Sequence, residues 1–253
     1  MLVSVESTQG SVPRRTGTWM AVFADTLVGT IGGGRLEFDA IAAARERLAS
    51  PAPGPEAERR RYALGPSLGQ CCGGVVHLRF ETVGPADVPR LQESLRRPLR
   101  PVALFGGGHV GAALAQVLAP LPFALTWIDS RAGIFPEQVS DAVACEHSEP
   151  VQAAVPGLAS GTLVLVMSFS HAEDLDIVAA CLQRQRSWAD LPYIGLIGSA
   201  TKWASFRRRL GDRGFSDAEL AHVTSPIGVP GVNGKEPEVI AVAVAAQLLQ
   251  IPL

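Results

Sequence analysis

The sequence carries no excess charge of either sign. Its formal net charge at pH 7 is −2. Nucleic acids and anionic lipid surfaces attract proteins through broad basic fields, so neither is expected as a partner. The arginine run 59–61 is local and more typical of a solvated strand entry than of a binding patch.

Long apolar runs are missing as well. No uninterrupted apolar stretch reaches the roughly 18 residues that a membrane-spanning helix needs. Ser4, Glu6 and Gln9 interrupt the N-terminal stretch, where a signal peptide would be apolar. The apolar segment 241–249 is short and predicts a buried helix. We therefore expect neither a membrane segment nor a signal peptide.

Cysteine is scarce. The chain has 4 cysteines in 253 residues, which does not suggest a disulfide framework. Cys145 and Cys181 stand alone in apolar surroundings, so we expect a reducing compartment, the cytoplasm. No second pair of cysteines or histidines lies at ligand spacing, and a zinc site is therefore not expected.

Glycine and proline divide the chain into two parts joined by a linker. Residues 1–83 contain short β-rich runs and one helix, 36–48, which predicts a smaller α+β domain. The proline-rich stretch 84–100 predicts a linker. In 101–253 short apolar runs alternate with helix-length segments, which is typical of an α/β domain with a parallel, Rossmann-like sheet covered on both faces. Its predicted strands are 102–105, 123–128, 142–145, 163–167 and 193–197.

The clearest local motif follows the first of these strands and opens a helix. It is a glycine-rich run from Gly106 to Gly111. In the dinucleotide fingerprint Gly106 would permit the tight turn, Gly108 the approach of a pyrophosphate, and Gly111 close helix packing. The positive end of the helix, where His109 lies, favours a phosphate.

Two charged residues end the second strand of this part. Asp129 is placed where an acid would reach a ribose hydroxyl, and Arg131 could instead contact a phosphate. The alternative is a Rossmann-like domain whose site is vestigial. Strand, motif, helix and acid together predict a nucleotide or phosphate ligand, but they do not name it.

A second glycine turn lies near the N-terminus. Gly32, Gly33 and Gly34 follow a predicted strand and precede a helix. The turn could hold an anion or could simply be a tight connection. Glu37 favours the dipole of that helix, and we hypothesise that it also accepts hydrogen bonds from an aminopyrimidine ring.

The third glycine-rich element is Gly69-Gln70-Cys71-Cys72-Gly73-Gly74. Vicinal cysteines between glycines are rarely core residues, and an exposed thiolate is a soft donor suited to molybdenum or copper(I). This element therefore predicts a functional thiol in preference to a structural one.

Several polar residues follow later strands, at the carboxyl edge where ligands bind in open α/β sheets. Ser170 predicts a helix N-cap, with Glu173 at the capping-box position, whereas His171 has no structural explanation. Ser199 ends another strand. Lys202 could neutralise a phosphate or be a solvated lysine of a first helical turn.

These segments together resemble the XdhC/CoxI family over nearly the whole chain. The matching segments are Gly10-Ser11-Val12-Pro13-Arg14 with Gly17, Gly29 to Gly34 with Leu36-Glu37, Leu68 to Gly74, Phe105 to Gly111, Ser170-His171 with Asp174, Gly195 to Ser199 with Lys202, Ser225-Pro226-Ile227-Gly228, and Lys235-Glu236-Pro237 with 240–241 and 245–247.

The resemblance implies an accessory protein, not an enzyme. Such a chaperone binds and protects the molybdenum cofactor of the molybdopterin type, with Cys71 as the molybdenum contact. It would engage a cysteine desulfurase or sulfurtransferase, deliver the cofactor to a xanthine dehydrogenase-type apo-enzyme, and form a homodimer. Two alternatives stay open: an NAD(P)-dependent oxidoreductase using His171 or Lys202 as acid, and a dinucleotide-sensing regulatory module.

Overall fold

The computed structural model describes residues 1–50, 57–65, 73–96 and 98–252. The chain separates into two compact units, Met1–Arg96 and Arg97–Leu253. Both contain strands and helices, and the expected α/β class is confirmed.

The first unit is built on a five-stranded antiparallel sheet in the order β3-β2-β1-β5-β4. Alternate residues are buried along β5, as expected of a sheet that covers a core with one face. Helix α1 supplies the other side of that core through Leu36, Ala40 and Ala44. The elements are β1 Leu2–Gln9, β2 Trp19–Val22, β3 Leu27–Gly29, α1 Gly34–Ala49, β4 Ala57–Ala63 and β5 Val75–Glu81.

The stretch that its prolines identified as a linker contains ordered elements. A 3₁₀ turn, Pro85–Asp87, leads into the short helix α2, Val88–Ser94. Pro89 lies in the first turn of α2, where proline costs a helix no hydrogen bond. Residues up to Arg96 belong to the first unit.

The second unit is a six-stranded parallel sheet in the order β11-β10-β9-β6-β7-β8. This is the doubly wound order of a Rossmann fold, and the direction of winding reverses between β6 and β9. The elements are β6 Arg100–Phe105, α3 His109–Leu118, β7 Phe123–Asp129, β8 Val143–His147, β9 Leu163–Val166, α4 His171–Trp188, β10 Tyr193–Leu196, α5 Ala200–Asp212, α6 Asp217–Leu220, β11 Val223–Thr224 and α7 Pro237–Gln250.

Helices cover both faces of this sheet. Residues of α3 and α7 pack on one face, and residues of α4, α5 and α6 pack on the other. All four residues of β9 are buried, which explains the uninterrupted apolar runs of the sequence. The positions where β6, β9 and β10 end therefore form one edge beside the reversal point.

The two cysteines of this unit differ in environment. Cys181 is fully buried on α4, and burial raises the pKa of its thiol to about 12. Cys145 is exposed because β8 is an edge strand, so its expected apolar surroundings are not found. Within the described ranges no helix is both long and apolar enough to cross a membrane.

Candidate functional sites

The glycine-containing N-terminal motifs converge at one edge of the first sheet. A loop of residues 10–18 joins β1 to β2, and it lies between the glycine turn that opens α1 and the glycines that precede β5. A Cβ on Gly32 would lie 3.1 Å from side-chain carbons of both Pro13 and Arg14. A Cβ on Gly74 would lie 2.2 Å from the carbonyl oxygen of Ser11. These glycines therefore let three segments pack backbone against backbone.

The glycine turn already holds a carboxylate of its own chain. Glu37 Oε2 accepts hydrogen bonds from the Thr30 hydroxyl at 2.5 Å, the Ile31 amide at 2.9 Å and the Gly33 amide at 3.2 Å. Of the two alternatives for this turn, an anion site or a tight connection, the structure shows a connection whose amides bind Glu37 of the same chain. Glu37 Oε1 makes no hydrogen bond within the described part of the chain.

These hydrogen bonds set the charge state of Glu37. Burial acts to raise its pKa, but the bonds from Thr30 and from the turn amides outweigh burial, and the pKa lies below its ordinary value. A carboxylate with a depressed pKa stabilises the fold above its ordinary pKa, and this contribution is lost as the pH falls through the folded-state pKa.

Glu37→Gln is expected to lower the free energy of unfolding at pH 7 by about 1 kcal/mol, because neutral acceptors bind the same donors less strongly. The difference from the native protein should shrink when the pH falls below about 4, near the ordinary pKa of glutamate. Urea unfolding from pH 7 to pH 3 measures it. Glu46→Gln, at an exposed position of the same helix, is the control, and an equal loss in both variants would contradict the role of Glu37.

An open concave surface lies on the outer side of the 10–18 loop. It encloses about 660 Å³ and is lined by Thr8, Val12, Pro13, Arg14, Arg15, Thr16 and Thr18. Arg14 and Arg15 are exposed and make no ion pair with any described residue. Among the described residues that line it there is no acidic side chain, so the lining carries a net positive charge.

The cysteine-containing segment lies next to this edge in sequence. Gln70, Cys71 and Cys72 are outside the described residues. The hairpin that carries them is closed by a hydrogen bond from the Leu64 amide to the Gly74 carbonyl at 2.7 Å. Gly74 in turn packs against the 10–18 loop.

In the second unit, the fingerprint glycines pack strand against helix. A Cβ on Gly106 would lie 2.0 Å from the carbonyl oxygen of Met167, and one on Gly111 would lie 2.0 Å from that of Gly106. Gly108 and His109 are exposed at the start of α3, where no side chain caps the helix. A phosphate could therefore approach this end of α3.

The acid at the end of β7 is fully engaged within the protein. Asp129 accepts from the Gly107 amide at 2.5 Å and from Arg131 through its backbone amide at 2.8 Å and its guanidinium twice at 2.9 Å. Burial acts to raise the pKa of Asp129, but the bonds from Arg131 and Gly107 lower it below its ordinary value. A ribose hydroxyl would have to displace Arg131, whose guanidinium also lies over the Phe169 ring. The role predicted for Asp129, contact with a ribose hydroxyl, therefore stays a prediction, and in this structure the carboxylate is occupied by Arg131 and Gly107.

Lys202 likewise has a partner. Its ammonium group donates to Asp174 Oδ2 at 2.7 Å and to the Ile197 carbonyl at 2.8 Å, and only 12% of its side chain is exposed. Asp174 Oδ1 accepts from the amide and the hydroxyl of Ser168. The group expected to be a phosphate ligand or a solvated lysine is instead part of a buried ion pair between α4 and α5.

The remaining predicted residues lie at helix starts. Ser199 caps α5 by accepting from the Lys202 amide, and Ser170 caps α4 as expected. Glu173 does not close a capping box, because its Oε1 accepts from the Ser130 hydroxyl at 2.6 Å. His171 is exposed, with its ring edge-on to Phe206.

The structure thus brings Gly32 to Gly34 and Glu37 together with the 10–18 loop in one unit. In the other it brings Asp129 and Arg131 to the fingerprint turn, and Lys202 to α4. The sequence did not indicate that Asp174 pairs with Lys202 or that Ser168 donates to Asp174, and no role was predicted for Arg15. No group of three or more metal-binding side chains occurs in the parts of the chain described.

Models of known protein families match residues in both units. A family model described as the XdhC Rossmann domain matches residues 102–248. This chain belongs to the XdhC family. A second model, described as the XdhC and CoxI family, matches residues 1–62, so the XdhC match extends into both units.

Two relatives extend over nearly the whole chain. The uncharacterized protein YqeB of Escherichia coli strain K12 is 26% identical over 251 residues, which are 99% of this chain and 43% of YqeB. The chain therefore spans less than half the length of that relative. A Bacillus halodurans protein, described as a xanthine dehydrogenase, shares the fold with a TM-score of 0.79, 20% identity, and coverage of 99% of this chain and 90% of its own.

A more distant structure matches part of the chain. It is a Rossmann-fold NAD(P)-binding family protein from Shigella flexneri, with 16% identity and a TM-score of 0.39. The match covers 58% of this chain and 85% of that protein. At this distance the likeness carries no argument about function.

Proposed function

We propose that this XdhC-family protein binds the molybdenum cofactor of the molybdopterin type and protects it for insertion into a xanthine dehydrogenase-type apo-enzyme. The observation that carries the proposal is the convergence of the 10–18 loop, the glycine turn and Gly74 at one edge of the first unit. The hairpin with Cys71 and Cys72 starts and ends at this edge.

The chemistry of the surrounding residues suits such a ligand. The cofactor supplies a molybdenum centre, a pterin ring and a phosphate. A cysteine thiolate is a soft donor for molybdenum, and Arg14 and Arg15 offer positive charge for the phosphate. Glu37 Oε1 has no hydrogen-bond partner among the described residues and can accept from an amino group of the ring. None of these roles requires a reaction to be catalysed.

The same proposal extends to partners and location. We propose that the protein acts in the cytoplasm, engages a cysteine desulfurase or sulfurtransferase while the cofactor is bound, and forms a homodimer. Support comes from the XdhC family assignment alone.

Cys71→Ala is expected to weaken cofactor retention at least about tenfold, because it removes the thiolate proposed as a soft ligand of the metal. Anaerobic titration with purified cofactor, followed by fluorescence and by molybdenum content after gel filtration, measures the change. Cys145→Ala is the matched control, since it removes an exposed thiol from the other unit. Equal retention by both variants would contradict the assigned role of Cys71.

A dinucleotide-binding function remains the second candidate. The uncapped start of α3 with exposed Gly108 favours it, whereas the engagement of Asp129 by Arg131 disfavours it. Titration with NAD and NADP distinguishes the two, because binding of a dinucleotide without binding of the molybdenum cofactor would replace the proposed function.

A further inference from the structure

The guanidinium groups of the positive concave surface on the 10–18 loop form no ion pair with a described residue. Among the described residues that line the surface, Arg14 and Arg15 are the charged ones. Several other arginines of the first unit form ion pairs with carboxylates, for example Arg35 with Asp39 and Arg59 with Glu6. The two guanidinium groups of the loop point instead to an anion from outside the chain.

The loop backbone holds these arginines in place. The Thr18 hydroxyl and the Thr18 amide both donate to the Arg15 carbonyl, at 2.8 and 3.2 Å. The Gly17 amide donates to the Val5 carbonyl at 2.8 Å and ties the loop to β1. On the other side, the Arg14 stem packs on Gly32. A fixed backbone reduces the entropy that is lost when the two side chains bind a ligand.

The glycine turn at this edge already binds groups of its own chain. The Ile31 and Gly33 amides donate to Glu37, and the Gly32 amide donates to the Thr30 hydroxyl, so these three amides do not attract a ligand anion. Arginine binds phosphate oxygens through parallel N–H donors, and two neighbouring guanidinium groups match a doubly charged phosphate monoester. The volume of about 660 Å³ lies within the range of small-molecule sites.

We propose that Arg14 and Arg15 form the subsite that binds the phosphate monoester of the pterin cofactor. This inference rests on the proposed function. It places the phosphate on the 10–18 loop, which packs against Gly74.

The test compares two variants with the same change in charge. Arg14→Ala/Arg15→Ala removes the subsite, and Arg35→Ala/Arg59→Ala removes two exposed arginines of the same unit from ordinary ion pairs. Each full-length variant is titrated anaerobically with purified molybdopterin-type cofactor and, separately, with inorganic phosphate. We expect cofactor affinity to fall about tenfold to hundredfold in the first variant, as charge-assisted hydrogen bonds are lost, and to change little in the second.

The outcomes separate this inference from the proposed function. Competition by inorganic phosphate that disappears only in Arg14→Ala/Arg15→Ala would support the subsite. Equal cofactor affinity in the two variants would overturn the subsite and leave the proposed function standing. Arginine-dependent phosphate binding without any cofactor binding would support a phosphate site but overturn the proposed function. Arg14→Lys/Arg15→Lys keeps the charge, so partial rescue is expected.

Discussion

Gly111→Ala is expected to lower the free energy of unfolding of the second unit by about 3 kcal/mol or more, although alanine favours helices by about 1 kcal/mol over glycine. The added Cβ would lie 2.0 Å from the Gly106 carbonyl oxygen, a backbone atom that cannot move alone. That oxygen also accepts a buried hydrogen bond from Trp127 Nε1 at 2.8 Å. Relief of the clash would therefore break this bond or shift α3 away from β6. Denaturant unfolding followed by tryptophan fluorescence measures the loss.

Gly108→Ala is the control for this prediction. A Cβ on Gly108 would meet no atom within 4 Å, and the residue has a negative φ of −74°. We expect a loss below about 1 kcal/mol, which reflects only the poorer helix-capping ability of alanine. Equal losses in the two variants would show that the fingerprint glycines do not act through close packing.

The different surroundings of these glycines show which properties of the motif could be predicted from the sequence. Gly106 and Gly111 are required by the crossing of strand and helix, with or without a nucleotide. Only Gly108 is open to a ligand. A glycine-rich turn between a strand and a helix therefore predicts the fold well, but its glycines alone do not establish a bound dinucleotide.

Most strands were predictable because buried strands consist of apolar residues without charge, a pattern that is visible in the sequence. β9 and β10 are buried at every residue, so they appear as short uncharged runs between helices. Helix α2 was not predicted, since it is 7 residues long, starts with prolines nearby and has no fully buried residue. Helices of this length are stabilised by tertiary contacts that a sequence does not display.

The chemistry of the candidate sites was less predictable, because residue type does not reveal a partner. For Glu37, Asp129 and Lys202 contact with a ligand was one of the predicted roles. In the fold, their partners are a glycine turn, a neighbouring arginine and an acid 28 positions away in sequence. A buried charged residue near a strand end needs a partner, which can be another side chain or a ligand. Internal ion pairs and ligand sites therefore have similar sequence patterns.

The pairing of Lys202 leads to the second large effect. Asp174→Ala is expected to lower the free energy of unfolding by about 3 to 5 kcal/mol, because it leaves the Lys202 ammonium group buried without a counter-charge. The side chains of Asp174 and Lys202 are 3% and 12% exposed, and the amide and hydroxyl of Ser168 lose their acceptor as well. Equilibrium unfolding in urea gives the value.

A pair on the same elements provides the control. Asp176 on α4 binds Arg213 at the end of α5 at 2.8 Å, but their side chains are 41% and 43% exposed. Asp176→Ala should therefore cost less than about 1 kcal/mol. Asp174→Leu/Lys202→Met, which replaces the buried pair by apolar groups, should lose less stability than Asp174→Ala, because no charge is left unpaired. If the double variant were the least stable, the ion pair would be a net source of stability. The attraction between Asp174 and Lys202 would then stabilise the contact of α4 with α5 by more than the cost of burying the two charges.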